Sequence, residues 1–240
     1  FRGDLRSTTS FGTQYVSSSV SSNEAYGESF PGPGIPTVSS AALKDAYEAR
    51  QTIITGGGFL QELLGWKDRY FFTVGMRIDG NSAFGKNFGL QKYPKASGSW
   101  VASEEKFWKW PSSTLKLRAA YGEAGRAPGA FDAVQTWTPV GWGGQPAFRP
   151  LNIGNANLGP ERTKETELGF DLTAFDNRSA VTFTFFDAVT SDALFPVRAI
   201  PSTGFQGSQL ENVGELTNGG LEIGVNGRIL QGEGVNWTVG

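Results

Sequence analysis

The chain has 240 residues, a net charge of −2 at pH 7, and neither cysteine nor histidine. These absences exclude thiol nucleophiles, disulfides, zinc fingers and imidazole catalysis, and the near-neutral charge provides no basic surface for nucleic acid. Glycine (33 residues) and aromatic residues (13%) are abundant while charged residues make up 18%, a composition that suits strands and turns better than helix bundles.

Alternation of apolar and polar residues with a period of two dominates the chain and predicts about nine β-strands. The predicted strands span residues 5–19, 50–65, 69–79, 93–102, 115–122, 163–174, 179–190, 217–230 and 235–240. A short helix is predicted at residues 39–50, SSAALKDAYEAR. Each strand has one apolar face, and the charged residues of the polar faces are Arg77, Asp79, Lys116, Arg118, Glu165, Glu167, Glu222 and Arg228.

Long and short connections alternate between the predicted strands. In an up-and-down sheet, alternate connections lie at the same end, so one end carries large loops and the other carries tight turns. Outer-membrane barrels have this asymmetry. The tight turns are predicted at WKD (66–68), FDNR (175–178) and QGEG (231–234).

Aromatic residues cluster beside the predicted turns, as they do in the girdles of membrane barrels, although packing at the ends of a soluble sheet would explain them equally well. They are Trp66, Tyr70, Phe107, Trp108, Trp110 and Phe175. Alternation alone also fits a soluble β-sandwich. The loop asymmetry, the aromatics and the charged faces together favour a membrane barrel in which Phe170 and Leu172 face lipid and their charged neighbours face water.

Five motifs resemble those of the SusC/RagA-type TonB-dependent transporters, in the family's order and spacing. They are RIDGNSAFG (77–85), YPKASGSWVASEE (93–105), LKLRAAYGEAG (115–125), ERTKETELGFD (161–171) and NVGELTNGGLEI (212–223). The resemblance covers most of residues 50–240 and implies an all-β fold, an antiparallel up-and-down transmembrane β-barrel. Such transporters close about 22 strands around a plug, so we expect residues 1–240 to be part of the barrel, with the plug and the terminal strands outside this chain.

The resemblance implies nutrient import, of an oligosaccharide or a peptide, across the outer membrane of a Gram-negative-type cell. The implied partners are a SusD-like surface lipoprotein, outer-membrane lipid, and the TonB complex through segments outside this chain. The resemblance also admits a homodimer of such pairs. No enzymatic activity, cofactor or metal is expected. A soluble β-sandwich module that binds carbohydrate, or an adhesin, is the alternative function.

Candidate substrate contacts lie in the long connection between residues 123 and 162. Trp137, Trp142 and Phe148 could stack on sugar rings, while Arg126 and Arg149 could bind polar groups. These side chains could equally pack on each other or on a partner that covers the loops.

Three further candidates lie on the polar faces of the predicted strands. Arg77 could contact substrate. Alternatively, the motif that contains Arg77 has only a structural role and shapes the connection from a strand into a loop. Glu165 and Glu167 share one face of a strand. Glycoside hydrolysis uses paired carboxylates about 5–10 Å apart, but we expect these two to line the lumen and to pair with Arg or Lys from neighbouring strands.

Overall fold

A computed structural model describes residues 4–34, 37–205, 207–231 and 236–240. Nearly all of the regular structure in this part of the chain is β-strand. In chain order the strands are β1 (Leu5–Glu28), β2 (Leu43–Trp66), β3 (Tyr70–Asn81), β4 (Gln91–Val101), β5 (Thr114–Arg126), β6 (Thr136–Trp142), β7 (Gln145–Asn152), β8 (Glu161–Ala174), β9 (Ser179–Ser191), β10 (Leu194–Arg198), β11 (Ser208–Asn212), β12 (Glu215–Gln231) and β13 (Asn236–Val239).

Nine of these strands form one antiparallel sheet in the order β1-β2-β3-β4-β5-β8-β9-β12-β13. Strands β6–β7 and β10–β11 form separate hairpins inserted in the connections that follow β5 and β9. The predicted all-β, up-and-down antiparallel fold is therefore confirmed. The two hairpins are the only other sheets among the described residues, and no second sheet is packed against the large one as a sandwich requires. Within the described ranges, no helix has the length and apolar character needed to cross a membrane.

The helix predicted at residues 39–50 is wrong. Val38–Ser40 forms a single 3-10 turn, and β2 begins at Leu43. The reason is pairing with β1, in register from Glu28↔Leu43 down to Leu5↔Trp66, which overrides the local helical preference. Both strands are 24 residues long. Because β3 ends at Asn81, opposite Thr55, β1 and β2 continue past it as a two-stranded ribbon.

The two faces of the large sheet differ in chemistry, most clearly on β3 and β8. On β3, one face carries the exposed side chains of Phe72, Val74 and Met76, while Thr73 and Arg77 on the other face are partly covered. Phe170 stacks on Phe183 of the next strand at 5.5 Å, in the apolar row. We call the apolar face the outward face and the charged face the inward face.

The predicted tight turns at one end of the sheet are confirmed where they are described. Lys67 and Asp68 take φ values of 53° and 52°, and Phe175 and Asn177 take 56° and 65°, so each turn reverses in the left-handed region. The QGEG turn falls largely at residues 232–235, outside the described residues.

An aromatic belt of Trp66, Tyr70, Trp100 and Phe107 lies at the tight-turn end. Successive ring centroids are 5.3, 6.2 and 6.1 Å apart. Trp66, Tyr70 and Trp100 all belong to the outward face. Amphipathic rings at this position mark the boundary between lipid and water in membrane barrels.

At the opposite end, the long connections form their own small core. Its fully or nearly fully buried side chains are Ala83, Leu158, Ala193 and Phe205. The amide of Gly85 donates to the Leu158 carbonyl (2.8 Å), and Asn212 exchanges two hydrogen bonds with the backbone of Gly159 (2.7 and 3.0 Å). Residues 82–90, 127–160, 192–205 and 207–214 therefore pack as one layer, which we call the loop layer.

Candidate functional site

The inward face carries an ion-pair network centred on Arg118 of β5. Its guanidinium lies 3.4 Å from the Asp171 carboxylate and 3.9 Å from that of Glu167, and it donates to the Thr184 hydroxyl at 2.6 Å. Gly169 leaves the space for this side chain, because a Cβ there would lie 2.9 Å from Cζ of Arg118. The expected pairing of Glu167 with a cation from a neighbouring strand is observed.

Glu165 and Glu167 together line a cavity of about 410 Å³ on the inward face. Lys95, Thr73 and Ser97 contribute further polar groups to its wall. Because residues i and i+2 of one strand project in the same direction, the two carboxylates sit side by side. They do not oppose each other across a cleft. Such a surface can bind polar groups of a ligand or of another protein segment.

Arg77 lies on the inward face with its guanidinium already bonded. Its Nε donates to Asp79 (2.7 Å) and its Nη2 donates to the side-chain oxygen of Gln14 on β1 (3.0 Å). Gly57, on the intervening strand, is required here, because a Cβ at this position would fall 1.8 Å from Oδ1 of Asp79. On the inward face, Arg77 therefore links β3 to β1 across the intervening strand β2 through its hydrogen bonds.

Strands β4 and β5 separate locally, a feature that no sequence pattern predicted. Their pairing stops at Lys95↔Gly122, although both strands continue. Arg162 of β8 fills this gap: it donates to the Glu123 carboxylate (2.6 Å) and the Lys92 carbonyl (3.0 Å), and its guanidinium lies 5.5 Å from the centre of the Tyr93 ring.

The aromatic and basic candidates of the loop layer do not form a single platform. Cross-strand pairing places Trp137 and Phe148 on one face of the β6–β7 hairpin and Trp142 with Arg149 on the other. Trp137 packs against Phe205 with ring centroids 5.6 Å apart. Trp142 is 80% exposed at the hairpin turn and Phe148 is 73% exposed, whereas Trp137 is 49% exposed, so Trp142 and Phe148 are the more accessible of the three rings.

Arg126 ends β5 beside the loop layer and lies 3.7 Å from Glu161, with 83% of its side chain exposed. A separate cavity of about 500 Å³ lies between the β1–β2 ribbon and the loop layer. Val20, Tyr47, Phe131 and Leu151 give this cavity an apolar lining that no motif indicated. Among the described residues, no group of three or more acidic side chains is placed to hold a metal ion.

The sequence candidates thus divide between two levels. Arg77, Glu165 and Glu167 lie on the inward face, and Arg126, Trp137, Trp142, Phe148 and Arg149 lie in or beside the loop layer. Sequence reasoning missed Lys95, Tyr93 and Arg162. Tyr93 belongs to the YPKASGSW motif, and Arg162 belongs to the ERTKETELGFD motif. Both could have been named as candidates from their motifs, although the motifs do not show that the two residues meet.

A family model described as "TonB dependent receptor-like, beta-barrel" matches residues 1–240. The chain is 32% identical over 182 residues to TonB-dependent receptor P3 of Formosa agariphila, covering 72% of this chain and 18% of that protein. It is 28% identical over 206 residues to TonB-dependent receptor SusC of Bacteroides thetaiotaomicron, covering 81% of this chain and 20% of that protein. The chain thus spans about a fifth of the length of these relatives.

Among solved structures, the RagAB peptide transporter superposes with a TM-score of 0.84 at 21% identity, over 97% of this chain and 26% of the transporter chain. At this identity the superposition establishes the fold. It agrees with the antiparallel up-and-down order of the large sheet.

Proposed function

Because the chain belongs to the TonB dependent receptor-like β-barrel family, an outer-membrane family, we propose that it forms part of the wall of a transporter that imports a bulky nutrient. The observation that carries this proposal is the separation of the two faces. The outward face is apolar and ends in the aromatic belt, whereas the inward face holds the Arg118 network and the Glu165 cavity. A wall with these faces shields a polar path from lipid.

Residues 1–240 contribute wall in this proposal, and the plug, the terminal strands and the segment that meets the TonB complex belong to other parts of the protein. The inward carboxylates Glu165 and Glu167, with Arg77, line the path beside the plug. In the loop layer, Trp142 and Phe148 offer exposed rings, and Arg126 and Arg149 offer cations, to an oligosaccharide or a peptide. Trp137 supports this surface through its contact with Phe205.

The family is one of receptors and transporters, and we propose no catalytic step. The proposed partner at the outer surface is a SusD-like lipoprotein, which is supported by the likeness to SusC. We expect the lipoprotein to bind the loop layer, because the buried core and the backbone hydrogen bonds of the loop layer already define its shape. A homodimer of such pairs is a further part of the proposal.

Uptake by the intact transporter tests the proposal. Cells that carry it are given fluorescently labelled oligosaccharides and peptides, with and without a working TonB complex. We expect one of the two ligand classes to enter only when TonB works. Uptake that is unchanged without TonB would point to a passive pore, and a transporter that imports neither class would contradict the proposal.

A further inference from the structure

Two exposed lysines lie on the outward face at its loop-layer end. The first, Lys92 of β4, is paired with Ile78 of the outward row of β3 and lies eight residues from Trp100 of the aromatic belt. Eight residues of strand span about 26 Å, which strand tilt reduces to about 20 Å of height. The apolar band of a barrel is roughly 25 Å tall, and the flexible stem of a lysine carries its ammonium group further toward water. Lys92 therefore reaches the level of the lipid headgroups.

The gap between β4 and β5 brings the second lysine, Lys164 of β8, to the same place. Nη1 of Arg162 donates to the Lys92 carbonyl at 3.0 Å and to the Glu123 carboxylate at 2.6 Å. Lys164 follows two residues later on the same face of β8, opposite Glu123. The Tyr121 hydroxyl also donates to Glu123, at 2.7 Å. The one carboxylate between the two lysines is therefore already bound by other groups.

Both ammonium groups are left with their charge uncompensated. Lys92 and Lys164 are exposed, and within the part of the chain that the structure describes neither forms an ion pair. Asp187, an outward carboxylate of β9, lies opposite Thr166 and contacts neither lysine. Basic side chains at the edge of a membrane attract phosphate-bearing headgroups, and a hydrogen bond from an ammonium group to a phosphate is among the strong ones.

The outward surface between Lys92 and the aromatic belt forms a shallow groove. Its floor is the outward row of β4, Pro94, Ala96 and Gly98, and its wall is the row that faces it on β3, Met76, Val74 and Phe72. The side chains of the wall are longer than those of the floor and are about half exposed. Tyr121 of β5 lies on the other side of the floor, opposite Ala96. A hydrocarbon chain can lie along this groove, below a group bound at Lys92.

We propose that Lys92 and Lys164 bind the phosphate group of an outer-leaflet lipid whose acyl chain lies in this groove. The inference rests on the proposed function, since it requires the chain to lie in a barrel wall. A free phosphate ion would use the lysines alone, whereas the groove selects a molecule that joins phosphate to hydrocarbon. Toward the same end of the outward face, β9 and β12 carry the carboxylates of Asp187 and Glu215, which repel a phosphate and confine the site to β4 and β8.

The first test changes the lipid and leaves the protein unaltered. The intact transporter in detergent is offered lipid A that carries one phosphate, or the same lipid without its phosphate, and native mass spectrometry measures the binding of each. Because hydrogen bonds to a charged group contribute about 1.5–3 kcal/mol, the phosphorylated lipid should bind at least about tenfold more tightly. Excess inorganic phosphate should not displace it. Equal binding of the two lipids, or displacement by inorganic phosphate, overturns the proposal.

The second test removes the two charges. The double variant Lys92→Gln/Lys164→Gln should bind the phosphorylated lipid about tenfold more weakly than wild type. The matched control, Lys106→Gln/Lys109→Gln, removes two exposed lysines at the tight-turn end and should bind it as wild type does. No loss in the first variant, or an equal loss in both, contradicts the proposal.

Uptake measured on cells with the wild-type transporter separates this inference from the proposed function. A transporter that imports its nutrient but does not distinguish the two lipids overturns the lipid site alone. A transporter that prefers the phosphorylated lipid but imports nothing counts against the import proposal and leaves the lipid site supported.

Discussion

At the scale of single residues, the ring of Tyr93 packs directly on Gly125, beside Arg162 in the gap between β4 and β5. A Cβ at this position would lie 2.0 Å from the Tyr93 hydroxyl, whereas a Cβ at Gly122, on the same strand, would meet nothing within 4 Å. Gly125→Ala should therefore lower the free energy of unfolding by about 1–3 kcal/mol, the usual cost of overpacking, and Gly122→Ala should change it little.

Urea unfolding of the transporter in lipid vesicles measures this difference between the two alanine variants. Adding Tyr93→Ala to Gly125→Ala should recover part of the loss by removing the clash. Equal unfolding midpoints for Gly125→Ala and Gly122→Ala would show that the tyrosine does not occupy this gap.

A second residue-scale prediction concerns Glu105, in the segment that joins β4 to β5 beyond the strands. The Tyr70 hydroxyl donates to its carboxylate at 2.6 Å, and this hydrogen bond, with Arg69 at 3.6 Å, holds the pKa of Glu105 below its ordinary value. A depressed pKa in the folded state means that the ionised form contributes stability above the unfolded-state pKa. That contribution is lost as the pH falls through the folded-state pKa.

Glu105→Gln should therefore lower Tm at neutral pH, and the gap to wild type should close as the solution is acidified through the depressed pKa. Thermal unfolding in detergent across the pH range measures this gap. The exposed neighbour Glu104 provides the matched control, since Glu104→Gln should follow wild type at every pH. A gap for Glu105→Gln that does not change with pH would assign its effect to something other than the ionised carboxylate.

At the scale of elements, Arg162 replaces the missing backbone pairing between β4 and β5. Hydrogen bonds to a charged group contribute about 1.5–3 kcal/mol, so Arg162→Gln should speed amide exchange in residues 91–93 about tenfold or more. Hydrogen–deuterium exchange detected by mass spectrometry resolves this segment. Lys164→Gln, two residues along β8, is the control, and equal exchange in the two variants would contradict the role given to Arg162.

The elements that could be predicted from sequence are the strands in which apolar and polar residues alternate along the whole length, because one face of each strand is apolar and the other is polar. The nine strands of the wall and the assignment of Arg118 and Glu167 to one face were predicted in this way. The helix predicted at residues 39–50 failed because pairing with β1 decides that segment. The β6–β7 hairpin was missed, although Gly143–Gly144 between alternating residues is a hairpin signal.

The candidate site was less predictable than the wall because its contacts join segments far apart in the chain. Loop residues such as Trp137 and Trp142 could be named from composition, but only the cross-strand register shows that they point to opposite faces. The bonds from Arg162 to Lys92 and from Arg118 to Thr184 likewise depend on which strands are neighbours, which single-strand patterns do not specify.

At the scale of the whole molecule, the account depends on lipid lying against one face and water against the other. Adjacent residues of β3 then alternate between two solvents, with Phe72 and Val74 outward and Thr73 inward. Import and the position of the aromatic belt both require this sidedness. A soluble sheet would bury the apolar row against protein instead.

Spin labels on single cysteines test this directly in the intact transporter reconstituted in lipid. The positions are Phe72→Cys, Thr73→Cys and Val74→Cys, and the measurement is the accessibility of each label to oxygen, which concentrates in lipid, and to a water-soluble nickel complex. We predict that oxygen reaches the labels at 72 and 74 more readily and that nickel reaches the label at 73 more readily. Equal accessibility at the three positions, or the reverse order, would contradict the account.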